Sequence, residues 1–106
     1  MPKYLLQGSY SAEGASGIMR LGGSQRREAV EQAAKSLGGK LEAFYFAFGE
    51  PDAFAVIDMP DSVSAAAISL VVNASGTIHC KTTVLMTPEE MDKAAGKTVN
   101  YRAPGR

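Results

Sequence analysis

Through residues 41–61, LEAFYFAFGEPDAFAVIDMPD, two apolar runs flank a short polar insert. The first run carries Phe44, Tyr45, Phe46 and Phe48, the second Phe54, Val56, Ile57 and Met59. Gly49, Glu50, Pro51 and Asp52 make the turn between them: Gly admits positive φ, Pro presets φ, and Asp can bond its own backbone. The pattern predicts a β-hairpin with a four-residue loop. Successive strand residues point to opposite faces. One face of the first run then shows Leu41, Ala43, Tyr45 and Ala47, the other Glu42, Phe44, Phe46 and Phe48. Both are apolar, whereas a sheet with one wet face alternates apolar and polar residues. Both faces need cover, and the helices of one small domain cover one. A second copy of the chain is the simplest supply for the other.

The flanking segments follow recognisable signals. Residues 4–10 read as a first strand, with Tyr4, Leu6 and Tyr10 on one face and Leu5, Gln7 and Ser9 on the other. Ser11 is a candidate N-cap with Glu13 in the first turn. Ala15, Ile18 and Met19 share a helical face, Gly22-Gly23 interrupts it, and Val30, Ala33, Ala34 and Leu37 resume helical spacing until Gly38. Residues 11–37 are therefore one interrupted helix or two meeting at an angle. Asp61 caps the next helix, whose apolar stripe is Val63, Ala66, Ala67, Leu70 and Ala74, with Ile68 and Val72 off it. That helix has no charge after its cap, and a helix apolar on most sides is buried on most sides. Residues 77–86 form the last strand: Ile78, Cys80, Thr82, Val84 and Met86 on one face, His79, Lys81, Thr83 and Leu85 on the other. Thr87-Pro88-Glu89-Glu90 is a capping box that starts a short helix, and Gly96 stops it.

The order is β-α-β-β-α-β plus a short C-terminal helix. It predicts an α+β, ferredoxin-like sandwich with a four-stranded antiparallel sheet and helices on one face. Two such sheets laid face to face make a dimeric α/β barrel. The expected organisation is one domain over residues 1–96 and a tail or arm over residues 97–106.

Composition narrows the partners. The chain has 106 residues, zero formal net charge and a single cysteine. Nucleic acid needs a basic surface, and the one adjacent basic pair, Arg26-Arg27, reads as a solvated helix face. Cys80 alone makes no intramolecular disulfide and no cysteine metal site. One His with scattered carboxylates builds no metal centre, so neither metal nor cofactor is expected. The N-terminus MPKYLLQGSY lacks the apolar core of a signal peptide, and residues 62–80 are too polar to span a membrane. The expected location is cytoplasmic.

The segments KYLLQGSYSAEG, GGSQRREAVEQAAKSLGGKLEAFYFAFGEPD and the run from Pro60-Asp61 through VNASG to KTTVLMTPEEMD together resemble the GYD-domain family of small bacterial proteins. The resemblance implies membership of the dimeric α/β-barrel superfamily and names no activity. Relatives in that superfamily include cofactor-independent monooxygenases, isomerases and ligand-sensing domains. The family's signature turn carries Tyr before its Asp. Here Pro51 stands before Asp52, so no role of that Tyr is carried over.

The candidate chemistry centres on His79, the only histidine. With Lys81 it lies on the more polar face of the last strand. In ferredoxin-like order that strand neighbours the first, whose Gln7 and Ser9 point the same way. Gln7, Ser9, His79 and Lys81 are the expected ligand contacts, able to bind an anion or move a proton near neutral pH. A His at the wet end of a sheet or in a subunit contact explains His79 more plainly, since no partnering carboxylate stands at a telling spacing. Cys80 points the other way and reads as a buried, inert thiol. Two functions follow. One is a homo-oligomeric module holding a small, partly apolar molecule between sheet and partner subunit, or between sheet and helices. The alternative is a cofactor-independent enzyme of monooxygenase or isomerase type, with His79 as acid/base. An assembly protein without a ligand is the third and plainest reading.

Overall fold

The computed structural model describes residues 1–106. Strand β1 spans Lys3–Tyr10, followed by helices α1 (Ala12–Leu21) and α2 (Gly23–Ser36), strands β2 (Lys40–Phe46) and β3 (Ala53–Asp58), helix α3 (Ser62–Ala74), strand β4 (Ile78–Leu85) and helix α4 (Pro88–Ala95). The strands form one antiparallel sheet in the order β2-β3-β1-β4, the ferredoxin-like order, and the fold is α+β as expected.

Local chemistry explains most boundaries. The Ser11 hydroxyl accepts from Gly14 N–H, and the Asp61 carboxylate from Ser64 N–H. At α4, Thr87 and Glu90 complete the reciprocal capping box. The interrupted helix resolves into two. α1 is stapled to the sheet at its start, where Ser11 N–H donates to Thr77 O at 3.0 Å. A side chain at Gly14 would run into that same Thr77 oxygen, so only glycine lets α1 approach. The rest of α1 turns outward, and Met19, placed on its apolar face by spacing alone, is 89% exposed.

The core lies between the sheet and α2 with α3. Tyr4, Leu6, Ala55, Ile57 and Cys80 come from the strands, Ala34 from α2, and Ala65 and Ile68 from α3. This corrects the expected face of α3. Val63 and Leu70 point outward at 79% and 71% exposure, while Ile68 and Val72 turn inward. In a helix apolar all round, the apolar stripe does not set the rotation. Polar partners do: Tyr4 Oη and Ser62 Oγ are 3.1 Å apart, and Asn73 bonds both backbone groups of Cys80. The inference that this helix is buried on most sides does not hold within one chain.

Two corrections concern the hairpin. A bulge between Leu41 and Ala43 resets the alternation of β2. Phe44 and Leu41 therefore share the helix side, and Ala43 and Tyr45 share the other. The connection is also longer than four residues. Ala47 and Phe48 leave the strand, and Phe48 is fully exposed. On β4, Val84 shares the parity of Cys80 yet is exposed, at the outer edge of the sheet.

The chain is open for its size. A compact domain of this length has a radius of gyration of about 13 Å; this one has 16.8 Å, with a longest extent of 57 Å. α4 does not pack on the body, and residues 97–106 continue without helix or strand.

Candidate functional site

All helices that pack on the sheet do so on one side, and the other side is uncovered. Strand register lays out its rows. Tyr45, Phe54, Gln7 and Lys81 form one row across β2, β3, β1 and β4, and Ala43, Val56, Leu5 and Thr83 the next. The centre is apolar: Phe54, Val56 and Leu5 are half-buried by one another, and Tyr45 is 71% exposed. Beyond Ala43 and Val56 the face ends in charges. Lys3 Nζ lies 2.6 Å from Glu42 Oε2 and 2.8 Å from Asp58 Oδ1, with Lys40 at 3.8 Å from Asp58. Asp58 first and Glu42 second raise the Lys3 ammonium above its ordinary pKa.

The four expected ligand residues sit at the opposite corner of this face. Gln7 pairs with Lys81 and Ser9 with His79, two rungs apart and hence on one face, so the neighbouring strands bring the four together. Gln7 and Ser9 are half-buried, while His79 and Lys81 are exposed in the single chain. Asp52, read from sequence as a turn former, ties the hairpin loop to the same end of β1. Its carboxylate accepts from Tyr10 N–H at 2.9 Å rather than from its own backbone, and its N–H donates to Gly8 O.

The helix side carries a second feature. α2 and α3 stand apart, and between them a cavity of about 70 Å³ opens onto a floor of small residues, Gly8, Ala53 and Ala55. Val30, Ala33, Ile68 and Val72 wall it. Tyr10 and Arg26 stand at one end, where the cavity abuts an open groove of about 410 Å³ between α1 and α2. Sequence placed Arg26 on a solvated face. The signal it missed is Gly23, one turn earlier, where a Cβ would meet the Phe46 ring at 2.8 Å. That close approach seats the start of α2 on the sheet and swings Arg26 over Tyr10. Burial raises the Tyr10 phenol pKa, and the Arg26 guanidinium beside it pulls the other way. The phenol thus remains protonated near neutral pH.

Cys80 lines the floor of this cavity on the helix side, opposite in direction to His79. Burial pushes its thiol pKa up, offset in part by Thr82. It is 8% exposed, and a protonated, enclosed thiol is a poor nucleophile. No group of three or more His, Cys, Asp or Glu side chains is arranged to hold a metal ion. No helix is long and apolar enough to cross a membrane.

Comparison with curated proteins and with solved structures gives no match. The family comparison does: the model of the GYD domain matches residues 4–95, from the first strand to the end of α4. The matched span holds all of the sheet but Lys3, with the Asp52 turn and the cavity on the helix side, and the chain belongs to the GYD-domain family.

Proposed function

We propose that this protein is a self-associating small-molecule binder, in which two chains lay their open sheet faces together and hold a partly apolar ligand between them. The observation that carries this reading is the uncovered face, with Leu5, Phe54 and Val56 at its centre and polar groups at its ends. Gln7, Ser9, His79 and Lys81 would then supply the polar contacts at the rim of the shared cleft.

Light scattering at micromolar concentration tests the assembly. Wild type should show about twice the 11.2 kDa chain mass, and Val56→Lys, which puts a charge at the centre of the face, should show the chain mass. A wild-type monomer overturns the proposal. Ligand binding is read separately, from the rise in melting temperature that a panel of small, partly apolar fragments produces. His79→Ala and His79→Gln should lose that rise, and an unchanged rise in both removes His79 from the site.

A further inference from the structure

The cavity and groove on the helix side do not depend on the open face, and they share the wall formed by Tyr10, Arg26 and Ala29. From that junction we infer a second binding site, for a small monocarboxylate with a short apolar tail: the carboxylate on Arg26, the tail between Val30, Ala33, Ile68 and Val72.

Charge selects the head group. The ion pairs of the chain are Lys3 with Glu42 and Asp58, Lys40 with Asp58, and Lys35 with Glu31; Arg26 is in none of them. It is half-buried, with its guanidinium beside the Tyr10 phenol. A guanidinium has five N–H donors in a planar fork that matches a carboxylate bidentately, and one phenol oxygen occupies only a small share of them. The other charges lining the groove are Arg20 and Glu13, so its net charge is positive in a chain of zero net charge. An anion of single charge fits that balance.

Size and polarity select the tail. Twelve of the fourteen residues around the cavity are hydrophobic. At roughly 10–15 Å³ for each water-sized position, a cavity of about 70 Å³ holds about five to seven non-hydrogen atoms. A branched five-carbon tail or one phenyl ring matches this. The small side chains of Ala53 and Ala55 leave the floor low, and at Gly8 the Ile78 side chain packs directly on the backbone, where a Cβ would run into it. With so few atoms, affinity should be modest, a dissociation constant on the order of 0.1–1 mM.

The test is an amide NMR titration of the full chain with 4-methylpentanoate. Acetate removes the tail, and 4-methylpentan-1-ol removes the charge. Binding should perturb Ala29, Val30, Ala53 and Ile68, and both controls should bind at least about tenfold more weakly. Arg26→Gln, at a half-exposed position, should lose about tenfold or more while keeping a dispersed spectrum. Ala33→Leu, which occupies the tail space, should lose binding of the carboxylate as well. His79→Ala should bind as wild type does, which separates this site from the sheet-face site. Equal binding of the alcohol, full binding by Arg26→Gln, or saturable shifts confined to the open face would each overturn the inference. So would the absence of any binding.

Discussion

Asn73 is the residue whose replacement tests the fold most directly. It sits near the end of α3 and holds the outer edge of β4. Cys80 N–H donates to Asn73 Oδ1 at 2.7 Å, and Asn73 Nδ2 donates to Cys80 O at 3.1 Å. β4 is an edge strand, so these two backbone groups have no strand to pair with on that side. Asn73→Ala removes both bonds. Each is worth about 0.5–1.5 kcal/mol net, and more where the orphaned group stays buried. Alanine's better helix propensity returns roughly 0.5 kcal/mol. The expected loss is about 0.5–2.5 kcal/mol, or roughly 2–11 °C in melting temperature for a domain of this size. Urea denaturation at fixed protein concentration measures it, with an unchanged m-value showing that only stability moved. Asn73→Asp supplies a second reading. Its carboxylate still accepts from Cys80 N–H but opposes Cys80 O, and protonation restores a donor. Its folded-state pKa is then raised. Relative to wild type, the variant should be weak at neutral pH and recover as pH falls through that pKa. A loss below about 0.5 kcal/mol in the alanine variant, or an aspartate variant as stable as wild type at neutral pH, would refute the reasoning.

Cys80 should react with thiol reagents far more slowly in the native state than after unfolding, since it is both enclosed and raised in pKa; rapid stoichiometric labelling of folded protein would contradict this. Thr82 Oγ1 is buried with no well-formed hydrogen bond, its one polar neighbour being the weakly bonding Cys80 thiol. Thr82→Val should therefore stabilise by roughly 1 kcal/mol in the same urea assay, and a loss of that size would show that the hydroxyl is satisfied. Asp61 and Glu90 have lowered pKa values, chiefly through the backbone N–H groups of Ser64 and Thr87. Their capping contributions are present above the unfolded carboxylate pKa and lost as pH falls through the folded one. Circular dichroism should show helix fraying on acidification, and Glu90→Gln should reduce the acid dependence of α4.

Sequence reading reached the fold because its strongest signals are local. Thr87-Pro88-x-Glu90, Asp61 and Ser11 carry their helix starts in their own side chains, and alternation marks β1 and β4 plainly. It failed where a long-range bond decided the outcome. Nothing near Asn73 says that Cys80 lies across from it, so the inward face of α3 was not legible from an all-apolar helix. A bulge at Glu42 leaves no mark in an apolar run, yet it took Leu41 from the face of Ala43 and Tyr45 and placed it beside Phe44 on the helix side. The pairing of Gln7 and Ser9 with His79 and Lys81 was legible because it follows from strand order alone. Arg26 was not, because its importance comes from a close approach at Gly23 that brings α2 down on Phe46.

The outstretched C-terminal helix alters how the molecule moves through water. Friction rises with elongation as well as with mass, and the chain measures 57 Å against 33 and 22 Å in the other directions, with α4 and the residues after it unpacked on the body. A single chain of this shape sediments slowly and elutes early, as a heavier globular standard would. Elution volume alone would therefore mistake shape for assembly. Deleting residues 88–106 would shift the elution volume by more than the lost mass accounts for, and would report the arm's drag directly.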